Sequence, residues 1–371
     1  MKILHIAPDP SAKNGIGKYS AFFETALRSV AVDVEVLYLV ERRESLWNLS
    51  RFIREMGSAD YDVIHIEIGV GTNLTFYSLL LIWILKKNIP VVVTLHDPPL
   101  VLFSPSLGLF GYKPNGILNK ILRKLILDPF FNFVLLKRVM NVAKCIVVLN
   151  REAEKTTQLY FLGTRVLYCP LLWYQRELLD GDLRRIIFYG FLAPAKGVEE
   201  LILALSTLKG NCENVVLDVV GGCLNDDYKN ELVELVRREG LLERVVFHGY
   251  VSDDKFDLIS RGAGIAVFPY RTTASLSASA AIVDCMAHGK LIVCSDIKRL
   301  RGEFSDGSVL FYQGGNVDDL VEKIKFLLTN LEDVQELRKS AEVCLERRHP
   351  RVVAEKFLSI YKNVLFKSSE R

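Results

Sequence analysis

Lys196 and Gly197 end the run Phe188-Tyr189-Gly190-Phe191-Leu192-Ala193-Pro194-Ala195, in which a strand opens into a loop at Gly190 and a helix then begins. A lysine at a helix start suits a diphosphate, because its charge adds to the positive end of the helix dipole. The alternative is a solvated lysine. Further on, Phe268-Pro269-Tyr270-Arg271 ends another strand, and Ser275-Leu276-Ser277-Ala278-Ser279-Ala280 leads into a helix that stops at Gly289. Small residues at that entrance, Ala280 included, let a phosphate reach backbone amides, and the hydroxyls of Ser277 and Ser279 add hydrogen bonds. Asp284 follows one to two turns later. It is placed to accept hydrogen bonds from ribose hydroxyls, or else is a surface acid.

The first half of the chain holds weaker signals. Asn14-Gly15-Ile16-Gly17-Lys18-Tyr19 opens a helix, and Gly15 and Gly17 permit close approach of backbone to a ligand. A dinucleotide fingerprint would need this motif directly after the strand, with a third glycine. Here about seven residues separate Ala7 from Gly15 and the third glycine is missing. His96-Asp97 follows Val91-Val92-Val93-Thr94-Leu95, so His96 stands at a strand's C-terminal end, ready for a sugar hydroxyl or a leaving phosphate. A capping or core histidine is the other reading. Glu67, just beyond the strand Asp62–Ile66, is placed alike. With Tyr19 it is the acceptor-side candidate.

These positions need a scaffold, and the apolar pattern supplies one. Short runs rich in Val, Ile and Leu alternate with helical segments, as in parallel sheets covered on both faces. The series runs from strand Lys2–Ala7 to strand Cys145–Leu149. It restarts at Ile186–Tyr189 after the aromatic, proline-bearing stretch near Cys169–Asp182. It closes with helices at Asp318–Asn330, Leu331–Glu346 and Pro350–Leu365. Two doubly wound, Rossmann-like α/β domains are expected, 1–170 and 185–345. A hinge at 171–184 joins them, and a C-terminal helix over 346–371 returns to the first. Ligands of such sheets sit at the C-terminal ends of strands, so a cleft between the domains is expected.

Composition narrows the partners. Across 371 residues there are 47 Lys+Arg and 44 Asp+Glu, a net charge of +3. Residues 1–170 carry 20 basic and 14 acidic side chains (+6), leaving 27 and 30 (−3) in the remainder. No nucleic-acid partner is expected from so small an excess; an anionic partner would meet the front half. Seven cysteines without a C-x-x-C pair read as small core residues of a reducing compartment. The N-terminus lacks a signal-peptide pattern, and the apolar run Phe76–Leu85 is short of a roughly 20-residue span. A cytoplasmic location, or a peripheral one on the cytosolic membrane face, is expected.

Between Pro98 and Lys144 the rhythm lapses. Ile117–Leu127 is an amphipathic helix with a basic face, and Phe130–Leu136 is nearly all apolar. Residues 113–144 hold seven basic side chains and one acidic. This segment is either a helical hairpin packed on the sheet or a patch for an anionic membrane surface.

In this order the motifs resemble family 4 of the retaining glycosyltransferases, which have the GT-B fold. The likeness runs along nearly the whole chain. It takes in the glycine loop at 14–19, His96-Asp97, the loop ending in Lys196-Gly197, Val219-Val220-Gly221-Gly222, Phe247 to Val251, and the helix ending Asp284-Cys285-Met286-Ala287-His288-Gly289. The resemblance implies that Gly15 and Gly17 border the donor phosphates and that Lys196 binds the diphosphate. It implies that His96 meets the transferred sugar, that backbone at Gly249-Tyr250-Val251 holds the base, and that Asp284 holds the ribose. Gly190, Ser277, Ser279 and Ala280 complete the expected donor side.

Two departures stand out. Phe191 replaces an arginine common in the loop before the lysine. Of two glutamates spaced E-x(7)-E, the first position is Leu276 and the second Asp284. The chain resembles instead a subgroup in which Pro-Tyr-Arg precedes a small-residue loop. Arg271 is then the candidate for the missing cation, beside His96 and Lys196 as reacting groups.

The implied activity is transfer of a hexose, mannose by the subgroup likeness, from a nucleotide-sugar donor to a glycan or lipid-linked acceptor, with retention of configuration. No nucleophilic carboxylate for a double displacement is evident, so a same-face substitution is expected. The acidic pairs Asp226-Asp227 and Asp253-Asp254 read as helix N-terminal acids, and no D-x-D motif stands where metal-dependent transferases keep it. Neither metal nor cofactor is expected. The rivals are a nucleotide-sugar epimerase of similar build and an NAD-dependent oxidoreductase with Glu41 on the ribose.

Overall fold

A computed structural model describes residues 1–12, 15–40, 43–57, 60–69, 72–98, 136–174, 180–208, 212, 214–223, 225–273, 275–304 and 307–369. The core of the basic segment 113–144, its phenylalanines included, lies outside these residues, as does Glu41.

The chain forms two compact units. Unit 1 comprises Met1–Leu172, Ala274–Ala278 and Pro350–Arg371; unit 2 comprises Trp173–Thr273 and Ser279–His349. Each is built on a six-stranded parallel sheet, the doubly wound α/β arrangement that the strand composition implies.

In unit 1 the strands are β1 (Lys2–Pro8), β2 (Asp33–Leu39), β3 (Val63–Ile68), β4 (Val91–Leu95), β5 (Ala143–Val148) and β6 (Arg165–Tyr168), in the order β2-β1-β3-β4-β5-β6. The described helices are α1 (Gly15–Ser29), α2 (Arg43–Glu55), α3 (Asn73–Ile84), α4 (Leu136–Met140), α5 (Arg151–Tyr160) and the chain-terminal helix at Pro350–Ser369. Every residue of β3 and β4 is buried, which is why these strands read as continuous apolar runs and not as alternation. The terminal helix packs its Phe357 ring 4.5 Å from that of Phe23 in α1. β6 and α5 escaped the sequence reading. The strand has only four residues, and its helix is mostly polar on the outside.

In unit 2 the strands are β7 (Asp182–Tyr189), β8 (Val216–Val220), β9 (Val245–Gly249), β10 (Ala263–Phe268), β11 (Leu291–Ser295) and β12 (Leu310–Tyr312). Their order, β12-β11-β10-β7-β8-β9, is that of a dinucleotide-type sheet read from the other edge. The order reverses between β7 and β10, and the crevice beyond the C-terminal ends of those two strands is where such sheets hold ligands. The helices are α6 (Val198–Thr207), α7 (Asp226–Arg238), α8 (Asp253–Gly262), α9 (Ala280–Ala287), α10 (Lys298–Glu303), α11 (Val317–Thr329) and α12 (Leu331–Glu346), and the terminal helix of unit 1 is accordingly α13. Asn225, Ser252 and Asn316 cap α7, α8 and α11 with side-chain oxygens. The acidic pairs at 226–227 and 253–254 lie in the first turns of α7 and α8, where the helix dipole favours them.

Candidate donor and acceptor half-sites

In unit 2 the loop after β7 tightens into a single 3-10 turn, Pro194–Lys196, before α6. Gly197 then adopts φ +63°, and a Cβ there would lie 2.0 Å from the Pro269 carbonyl oxygen. Only glycine satisfies both constraints, so the pairing of Lys196 with Gly197 reflects close contact between the loops that follow β7 and β10. Arg271 N–H donates to the Ala195 carbonyl at 3.0 Å, clasping the same loops. The Lys196 ammonium sits 3.9 Å from the centroid of the Tyr270 ring. The Arg299 guanidinium of α10 lies 4.9 Å from that centroid. Tyr270 is buried, and its hydroxyl has no hydrogen-bond partner among the described residues.

Arg271 is committed elsewhere. Its guanidinium donates to Glu199 and lies 3.9 Å from Glu200, so two carboxylates already offset its charge. Glu199 is held in turn by the Tyr228 hydroxyl and Glu200 by the Tyr312 hydroxyl. Lys196 and Arg299, sharing one aromatic ring, are the cations that the sequence signals Pro-Tyr-Arg and Lys-Gly bring together.

Asp284 lies in α9 and is 3 % exposed. Its Oδ1 accepts the Trp173 indole N–H at 3.1 Å, and its carbonyl accepts from His288 Nδ1 at 2.7 Å. It is therefore no surface acid. The helix entrance is held from outside as well. Glu303 Oε2 accepts the Ser279 N–H at 2.8 Å, and Arg348 lies 3.9 Å from Oε1. Burial pushes the Glu303 carboxyl up to about 7, although Arg348 and the Ser279 amide pull it down. Ala280 is the first residue of α9. Gly190 follows β7 and its N–H donates to the Val220 carbonyl, and Gly249 ends β9 with its carbonyl accepting from the Gly221 N–H. Beyond them, Phe191 and Tyr250 are exposed, and a Cβ at Gly222 would touch each at 3.7 Å. Val251 follows, half-buried.

In unit 1 the polar centre is a carboxylate ringed by histidines. Parallel register sets His5 of β1 opposite His65 of β3, and Glu67 of β3 opposite Thr94 of β4. His65 and Glu67, two residues apart, share one face of the sheet. Glu67 lies within β3, not beyond it, and is fully buried, so it reaches a ligand only through a neighbour. Its Oε1 is 3.2 Å from His5 Nε2, and its Oε2 is 2.7 Å from His96 Nε2. His65 stands 2.7 Å from both the Thr94 and Tyr361 hydroxyls.

Burial opposes ionisation of Glu67, but the hydrogen bonds from His5 and His96 favour the carboxylate, and the carboxyl is held below its usual range. Burial drives His65 down to about 3, so its ring is neutral. The Glu67 carboxylate at 2.7 Å places a ring proton on His96 Nε2 and fixes the orientation of the ring. His96 is 8 % exposed, and the Tyr19 ring meets it edge-on at 5.1 Å.

Gly17 is needed for a different contact from the one its type suggested. A Cβ there would strike the Asp9 carbonyl oxygen at 2.6 Å, so the close approach is to the protein's own backbone, while Gly15 borders open space. Residues 274–278 also group with unit 1: Leu276 N–H donates to the Pro98 carbonyl at 2.7 Å, and the Leu276 side chain joins the core containing Ile68 and Leu95. A carboxylate at 276 would lose that burial, which accounts for the leucine. Ser277 is half-buried, its N–H donating to the Ser275 hydroxyl. Trp173, Arg299 and Glu303 went unread in the sequence. The aromatic hinge and the basic run Lys298-Arg299-Leu300-Arg301 were the available signals.

Two doubly wound parallel α/β units define the class of fold, GT-B. Residues 173–343 match the family described as glycosyl transferases group 1. The match falls almost entirely in unit 2. No curated protein sequence matches the chain. Among solved structures it is similar to HepE of Anabaena in complex with UDP and glucose, at 16 % identity and TM-score 0.66, over 98 % of this chain and 100 % of that one. It is similar to sucrose-phosphate synthase of Thermosynechococcus elongatus at 16 % identity and TM-score 0.70, covering 99 % and 100 %. It is also similar to OtsA without ligand, at 12 % identity and TM-score 0.67, covering 98 % and 99 %.

Proposed function

We propose that the chain transfers a hexose, with retention and without a metal ion, from a nucleoside diphosphate sugar to a glycan or lipid-linked acceptor. The observation that carries this reading is Lys196, held by the Tyr270 ring at the β7/β10 switch point of a group 1 glycosyltransferase segment. Lys196 takes the donor diphosphate, with α9 entrance amides at Ser279 and Ala280 beside it. Asp284 accepts from the ribose. Backbone at Gly249, Tyr250 and Val251, with the exposed Phe191 ring, receives the base. Tyr19 and His96 serve the sugar and acceptor.

In the reaction the bond from anomeric carbon to diphosphate oxygen breaks. The acceptor hydroxyl attacks from the same face and gives its proton to the departing diphosphate. Lys196 and the amides stabilise the charge that develops there. His96, its ring held through Nε2 by Glu67, orients a sugar hydroxyl. The subgroup likeness favours mannose carried on GDP, whereas HepE has been captured with UDP-glucose. An anionic membrane surface through residues 113–144 would bring a lipid-linked acceptor within reach.

The test is a donor panel of GDP-mannose, UDP-glucose and UDP-GlcNAc, read by slow donor hydrolysis and by the anomeric configuration of the product. One donor is expected to turn over in EDTA with retention. An inverted product, or activity that EDTA abolishes and manganese restores, would refute the reading.

A further inference from the structure

The N-terminal edge of the unit 1 sheet carries a second feature, remote from the histidine cluster. Residues 86–90 precede β4, and residues 141–144 and 163–165 lead into and begin β5 and β6, whereas His96 follows β4. A recess of ≈ 870 Å³ opens at this edge, and a groove of ≈ 520 Å³ adjoins it through Lys87, Asn88 and Val142. Among the described residues their linings include Lys86, Lys87, Lys144 and Arg165 and no carboxylate. Lys87 is spent on the carbonyls of Arg54 and Met56. Lys86, Lys144 and Arg165 have no carboxylate partner among the described residues. Elsewhere in the molecule, exposed cations such as Arg28, Arg51 and Arg301 do have one.

Beside these cations, α3 ends in three consecutive exposed apolar residues: Trp83 (38 %), Ile84 (55 %) and Leu85 (38 %). The helix closes in a Schellman motif, with Lys86 N–H donating to the Trp83 carbonyl and Lys87 N–H to the Ile82 carbonyl. The left-handed position of that motif usually takes glycine, but here it is Lys86, at φ +48°. A strained lysine kept where glycine would be relaxed argues that the ammonium itself is wanted.

We propose that this edge seats on an anionic lipid bilayer. The Trp83-Ile84-Leu85 ridge enters the boundary between headgroups and acyl chains, and Lys86, Lys144 and Arg165 meet lipid phosphates. A tryptophan beside aliphatic side chains with flanking cations is the composition that partitions to that depth. Complementary charge selects anionic lipid over a protein groove, since the linings offer nothing to a basic partner. Because the ridge lies at the opposite strand ends from His96, docking leaves the histidine cluster open. The proposal deepens the membrane reading of the chain. It moves the contact out of residues 113–135 and stands whichever sugar is transferred.

The test uses the full chain with vesicles of phosphatidylcholine alone, or of phosphatidylcholine with phosphatidylglycerol. Flotation with the anionic vesicles only is expected, weakened by raised salt and unaffected by inorganic phosphate at equal ionic strength. Lys144→Gln with Arg165→Gln should lower vesicle partitioning roughly 10–30-fold, at about one kcal/mol per cation. Brominated acyl chains should quench tryptophan fluorescence in the wild type and in Trp47→Phe, but not in Trp83→Phe. Turnover of a soluble donor, measured separately, should be unchanged in all of these variants. The proposal fails if the chain does not float, if inorganic phosphate releases it, or if the double variant floats like the wild type. It also fails if Phe130→Ser, Phe131→Ser and Phe133→Ser together abolish binding while quenching through Trp83 is absent.

Discussion

The Trp173 indole N–H donates to Asp284 Oδ1 across 3.1 Å, while the Trp173 backbone N–H donates to the Arg348 carbonyl. The first residue of unit 2 thus orients the carboxylate assigned to the ribose. Trp173→Phe keeps a ring but removes the donor. A hydrogen bond to a charged group contributes about 1.5–3 kcal/mol, so the donor KM should rise roughly tenfold or more. The fall in kcat should be smaller. Steady-state kinetics against donor concentration separates the two, and an unchanged KM would remove Asp284 from the donor site.

Lys196→Ala should lower kcat/KM by about 10²–10³, the usual effect of removing one stabilising group from a developing anion. Arg271→Gln should cost far less, because Glu199 and Glu200 already offset its charge. Equal losses in the two variants would show that Arg271 leaves its carboxylates to meet the diphosphate.

The buried histidine cluster should make unit 1 sensitive to acid. His65 titrates near 6.5 when unfolded and near 3 when folded, so between those values only the unfolded chain takes up the proton. Stability from this group is complete above pH 6.5 and is lost as pH falls toward 3. Glu67, held low in the fold, adds to the loss below its ordinary value of 4.5. Denaturation midpoints measured across pH 4–7 should show this slope, flattened in His65→Gln.

Glu303 gives the opposite sign. Its carboxyl, raised from 4.5 to about 7, stays protonated in the fold where it would ionise unfolded, so its contribution to stability declines as pH rises through that window. Ionisation near pH 7 also strengthens its claim on the Ser279 amide, which a donor phosphate would share. Arg348 and Arg299 are the cations facing it. The donor KM should therefore climb as pH passes 7, and Glu303→Gln should flatten the profile. A wild-type KM that stays level there would separate Glu303 from donor binding.

Much of this architecture is legible in sequence. Parallel strands buried on both faces leave apolar runs such as Val91-Val92-Val93 that no surface element needs, and the loop residues after β7 and β10 stand out by type. What stays hidden depends on pairings far apart in the chain. Trp173 meets Asp284 from 111 positions away. Glu303 meets Ser279 from a six-residue helix without a clear period. The histidine cluster depends on strand register, which sets His5 against His65 and turns Glu67 inward; spacing alone put Glu67 one step too far out. Arg271 looked available because its neighbours in sequence carry no charge, yet its partners lie in α6.

Six of the seven cysteines are buried, and burial pushes the thiols of Cys145, Cys169 and Cys294 above the ordinary range. Cys223 alone is half-exposed. It pairs with Leu192 across the loops that follow β7 and β8, its Sγ against the Leu192 carbonyl. The natural chain thus provides a single labelling handle at the rim of the phosphate loop. A maleimide dye there would report donor occupancy in real time with no other cysteine replaced.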